Sequence, residues 1–129
     1  MVERQRVRSG SPFEDRIGFC RAIRVGDRVL VSGTAPIWPD GTVDQDPGAQ
    51  TKRCFEIISE ALESLGSSLD DVVRTRVYIC SAADSAPVSA AHGELFTDHR
   101  PAATMVIVAG LLDPRWRVEI EAEAIVDER

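Results

Sequence analysis

The stretch RVEIEAEAIV, Arg117 to Val126, alternates in character along its length. Val118, Ile120, Ala122, Ala124 and Val126 form one set, and Arg117, Glu119, Glu121 and Glu123 form the other. Successive side chains of a strand point to opposite faces, so the first set packs on a core and the second lies on the far face. The preceding strand behaves differently. In TMVIV, Thr104 to Val108, Met105 and Ile107 fall on one side and Val106 and Val108 on the other. A strand apolar on both sides needs cover on both sides, so it is expected to be buried.

What supplies that cover is read from the rest of the chain. CRAIRV and RVLVSG flank Gly26-Asp27, a two-residue hairpin turn, and WPDG at Trp38–Gly41 is a second turn. Asp46 caps a helix whose first residue is Pro47. Cys54, Ile57, Ile58, Ala61, Leu62 and Leu65 recur at helical spacing, and Gly66 ends the run. The opposite face carries Lys52, Arg53, Glu56, Glu60 and Glu63. RTRVYIC is a β-branched strand. A second helix spans Ala86 to Phe96, with Asp84 or Ser85 as cap and Val88, Ala91, Leu95 and Phe96 inward. The order ββαβαββ predicts an α+β two-layer sandwich, a mixed sheet with two helices on one face. The other face is then expected to meet a further subunit; a sheet curling over itself is the alternative.

At 129 residues the chain fits one domain, with residues 1–15, polar throughout most of their length, loosely held. Hydrophobic residues make up 43% and charged residues 28%, a globular balance. A net charge of -6 argues against nucleic acid as a partner. Cys20, Cys54 and Cys80 are three cysteines without CxxC spacing, which fits reduced thiols and a cytoplasmic protein. No apolar run is long enough to cross a membrane or serve as a secretory signal, so no membrane partner is expected.

Most sites with a sequence signature are missing. GxxxxGK[ST] and GxGxxG do not occur, which removes the usual phosphate cradles. His92 and His99 have no acid or cysteine at ligand spacing, so no metal is expected and both histidines read as solvent-facing. Cys20 or Cys80 as a nucleophile competes with simple packing. Glu119, Glu121 and Glu123 form either a solvated face or, at a subunit cleft, a source of a general base. Val31 to Thr34, VSGT, ends a strand with a hydroxyl and open backbone, which suits either a small polar ligand or a plain turn.

VGDRVLVSGTAP, DPGAQTKRCFEIISEALESLGSSLDDVVRTRVYIC, VSAAHGELFTDHRPAATMVIV and VEIEAEAIV, in this order, resemble the RidA/YjgF family, also known as endoribonuclease L-PSP, from about Ile17 to Val126. The resemblance implies a chorismate-mutase-like fold and a homotrimer. The sheets of such a trimer line a barrel, with ligand clefts between subunits. It also implies cofactor-free hydrolysis of reactive enamines and imines to keto acids and ammonia.

Residue by residue, the family's cleft serine falls on Ser32, before Gly33, and its water-activating glutamate on Glu119. Its tyrosine falls around Phe19-Cys20, and a helix asparagine falls on Ser89. The family's PAR motif falls on Pro101-Ala102-Ala103, so its carboxylate-gripping arginine is replaced by Ala103, followed by Thr104 and Met105. His92 completes the candidate small-molecule site. Arg21, Arg100 and Arg117 are the candidates for a replacement cation, Arg21 foremost. Two functions stay open: a hydrolase whose substrate is not an amino-acid-derived imine, and a non-catalytic trimeric binding protein.

Overall fold

A computed structural model describes residues 2–127. One mixed sheet runs β1(Arg4–Val7), β2(Ala22–Val25), β3(Arg28–Thr34), β6(Val118–Ile125), β4(Val72–Ile79), β5(Ala102–Ile107) from edge to edge. Every pairing is antiparallel except β4 with β5. That parallel pair requires a crossover, and α3(Ser85–Phe96) lies within it. α2(Pro47–Ser64) links β3 to β4 and packs on β3, β6 and α3. The chain is thus an α+β sandwich with its two long helices on one face.

α2 forms where its signals lie. The Asp46 carboxylate accepts the Ala49 amide at 2.8 Å, and Pro47 occupies the first turn. At the far end the Gly66 amide reaches the Glu63 carbonyl and the Ser67 amide reaches Leu62, the paired bonds of a Schellman ending. Gly66 has φ +78°, and a Cβ there would lie 2.9 Å from Nη1 of Arg24. That same guanidinium donates to the Leu65 carbonyl at 2.7 Å, so a cation also meets the helix's negative end. Phe55, Ile58 and Leu62 are fully buried, each contributing about 1.5–3 kcal/mol of apolar burial.

Several expectations are corrected. β5 is not buried within the chain. It is the outermost strand, and Ala102, Ala103, Thr104, Val106 and Ile107 are exposed. Only Met105 packs toward the core, because α2 sits over β3 and β6 and no element lies beyond β5. The polar N-terminal segment contributes two elements that the sequence pattern did not suggest: β1 pairs with β2, and α1(Pro12–Ile17) follows, capped by Ser11. Leu95 faces outward. Asp84 precedes α3 without a side-chain cap bond, because its carboxylate takes a two-pronged grip from Arg117, Nε at 3.0 Å and Nη2 at 2.8 Å.

His92 is not solvent-facing either. Its Nε2 lies 2.9 Å from the Thr75 hydroxyl, and its ring packs against Phe55 and Phe96. Removal from water lowers its affinity for a proton. The unfolded histidine titrates near about 6.5, so below that pH the unfolded chain takes up a proton that the fold resists. Stability is therefore expected to fall as pH drops through that window. Thermal melts between pH 7.5 and 5 check this. The wild-type slope exceeds that of His92→Gln, and equal slopes would contradict it.

Candidate functional site

A β-bulge builds the site. Val31 pairs with Ala122 and Thr34 with Ile120, so Ser32 and Gly33 together stand opposite one residue of β6. Strict alternation would put Thr34 on the open face; the extra residue returns it to the core, where it is buried. Gly33 then faces Glu119. A Cβ at Gly33 would overlap the Glu119 carboxylate, so the missing side chain is what lets the acid lie against the backbone.

Beside them is a hollow of about 500 Å³ lined by Gly33, Tyr78, Gly110, Leu111, Leu112, Glu119 and Glu121. Glu119 is half-buried. Loss of water raises its proton affinity, Arg21 opposes this, and Glu121 adds to it. Tyr78 pairs directly with Glu119 across the strands and donates its hydroxyl to Glu121. Arg76 lies 3.7 Å from Glu121. A carboxyl group biased toward its protonated form, beside an apolar wall, suits proton transfer to and from a small molecule.

The other sequence-predicted residues divide into two groups. The first surrounds the bulge. The Ser32 hydroxyl donates to the Cys20 carbonyl at 2.8 Å, and the Phe19 ring stacks on the Arg21 guanidinium at 5.3 Å. Arg21 is 5% exposed and turned inward. Its Nη1 donates to the Gly33 carbonyl at 2.6 Å and the Thr34 hydroxyl at 2.8 Å.

The second group lies elsewhere. Ser89 is exposed on α3, and His92 is beneath the helices. Ala103 pairs with the buried Thr75, which puts it on the helix side of the sheet, opposite to Glu119. Thr104 pairs with Arg76 on the open face. Met105 packs on the core. A single chain does not bring the two groups together.

Tyr78 and the loop residues Gly110–Leu112 line this hollow without having been singled out from the sequence, where Glu121 stood only as one member of the acidic run. Alternation in RTRVYIC does put Tyr78 with Arg74 and Arg76, on the face away from the helices. Among the described residues no group of three or more His, Cys, Asp or Glu side chains is arranged to hold a metal. No helix among the described residues is long and apolar enough to cross a membrane.

The sequence pattern of endoribonuclease L-PSP matches residues 12–126. The chain belongs to that family. Among L-PSP relatives, a 2-iminobutanoate/2-iminopropanoate deaminase of Salmonella typhimurium is 34% identical, over 86% of this chain and 88% of that protein. A RutC family protein of Pyrococcus abyssi is 39% identical over 83% and 84%. The crystal structure of a Mycobacterium tuberculosis member of the YjgF/YER057c/UK114 family superposes with a TM-score of 0.89. It is 40% identical and covers 96% of this chain and all of its own. The L-PSP fold expected from the resemblance is therefore the fold observed.

Proposed function

We propose that this L-PSP family member hydrolyses small reactive enamines or imines at a cleft between the subunits of a homotrimer, on substrates that do not depend on a carboxylate clamp. The observation that carries the reading is Glu119: a half-buried acid of raised proton affinity, held against Gly33 at the edge of a partly apolar hollow. In the proposed reaction Glu119 accepts a proton from water as the water oxygen bonds to the imine carbon. The same proton then passes to the nitrogen to give a carbinolamine. Glu119 next takes the proton of the new hydroxyl and delivers it to the amine nitrogen as the carbon–nitrogen bond breaks, so that ammonia leaves and the carbon keeps the oxygen as a carbonyl. Tyr78 and Glu121 orient the water side of the hollow, and Leu111 and Leu112 take the apolar arm of the substrate.

The charges support this substrate class. The hollow's lining includes two carboxylates and no cation. Arg21 is turned inward onto backbone, and Arg117 is taken by Asp84. The trimer reading is supported by β5, whose outer edge has no strand beside it and whose Ile107 is 60% exposed, close in sequence to Leu112 at 70%. Joining subunits through that edge would bring the exposed Ala103 and Thr104 to a neighbour's hollow. Three free thiols support a cytoplasmic location.

Imines generated in situ from a carboxylate-bearing amino acid and from an amine without a carboxylate test the reading. The protein is expected to accelerate hydrolysis of the second more than the first, and Ala103→Arg is expected to gain activity on the first. Acceleration of neither substrate would defeat the hydrolase reading and favour a binding protein. A solution mass near 14.1 kDa would defeat the trimer.

A further inference from the structure

Beneath the bulge lies a pair of opposite charges that the proposed chemistry does not use. Glu14 is 2% exposed and Arg21 is 5% exposed. Arg21 Nε is 3.6 Å from Glu14 Oε2 and has no hydrogen-bond partner. Glu14 also accepts the Ser9 amide at 3.1 Å and the Ser9 hydroxyl. Two buried charges are a poor way to gain stability, since desolvation offsets most of their attraction. Their placement suggests another role. Arg21 Nη1 holds the Gly33 carbonyl and the Thr34 hydroxyl, and makes a longer contact of 3.4 Å to the Ser32 carbonyl. All three residues of the bulge thus hang on one guanidinium, and the bulge is the surface on which Glu119 rests.

We propose that Glu14 and Arg21 form a buried positioning unit for Glu119: Arg21 pins the Ser32–Thr34 bulge against which the acid lies, and Glu14 balances the cation so that Glu119 is not held ionised. α1 exists in this arrangement to deliver Glu14, and β1 anchors the segment that carries it. Cation and carboxylate together present Glu119 with a near-neutral neighbour. Without Glu14, the uncompensated Arg21 favours the charged form of Glu119. The other titratable groups around Glu119 are Glu121 on its own strand and Tyr78 across from it on β4, with the fully buried Cys54 thiol of α2 on the opposite side of the sheet. None of these changes when position 14 is altered.

The experiment is a carbon-13 NMR titration of the glutamate carboxyls, with the Glu119 signal assigned by its loss in Glu119→Gln. It requires no substrate, so it is independent of the hydrolase reading. In Glu14→Gln the Glu119 midpoint is expected to fall by about half a pH unit or more. In the double variant Glu14→Gln/Arg21→Gln it is expected to return toward the wild-type value, because both charges are gone. A merely structural role would not make the second substitution reverse the first. An unmoved or raised midpoint in Glu14→Gln overturns the proposal. Should Glu14→Gln fail to fold, the double variant has no stranded charge and decides through hydrogen exchange. Amides of Ser32–Thr34 are expected to exchange about tenfold faster while those of β4 are unchanged. Unchanged exchange at the bulge overturns it.

Discussion

Glu119→Gln is expected to lower kcat/KM for imine hydrolysis by about a hundredfold to ten-thousandfold, the usual contribution of a positioned acid–base group. The amide keeps the size and shape of the side chain that fills the space left by Gly33, so the bulge and the fold are retained. What is lost is the capacity to take and return a proton. The pH profile supplies a second readout. Burial raises the proton affinity of Glu119 above that of an ordinary carboxylate, so the base form appears only as pH rises through that higher value. Wild-type activity should climb across this range, and the variant's residual activity should not. A variant within about threefold of wild type would show that the base lies elsewhere in the hollow, with Glu121 next to be tested.

Phe55→Ala is expected to destabilise the fold by about 3–5 kcal/mol, which would lower Tm by roughly 10–20 °C. Phe55 is 1% exposed and central to the helix layer. Its ring meets Phe96 edge-on at 5.2 Å and His92 at 5.7 Å. Removing it leaves a cavity between α2, α3 and the sheet and loosens the wall that keeps His92 from water. Urea denaturation at a fixed protein concentration measures the loss. Fixing the concentration matters because self-association adds to apparent stability. A loss below about 1.5 kcal/mol would mean that the helices close over the gap.

The helices and the core face of β6 were readable from local chemistry. Asp46-Pro47 at one end and Gly66 at the other act on backbone groups one turn away, and the alternation of Val118 to Ala124 acts through a two-residue period. Neither depends on distant residues. The N-terminal segment was not readable, because the worth of Glu14 comes from Arg21, and a carboxylate in a polar stretch resembles any other. The bulge was hidden for a related reason. VSGT continues an alternating strand, and only pairing with β6 reveals that two residues stand against one.

The apolar run at β5 marks the division between the two sources of information. Composition alone determined that Met105, Val106 and Ile107 form a strand in need of cover on both faces, and alternation put Glu119 on the face away from the helices. Where that strand sits is a matter of topology. The parallel crossover through α3 carries it past β4 to the outer edge, where the chain has nothing left to cover it. The same holds for the candidate site. The family resemblance named Glu119, Ser32 and Gly33, where residue types alone offered the three acids of β6 and the VSGT segment. Tertiary pairing set the carboxylate against Gly33, turned Arg21 inward onto the bulge, and left Ala103 on the opposite side of the sheet. A local pattern specifies which face a side chain takes, whereas its neighbours across the sheet depend on strand order and register, which are properties of the whole chain.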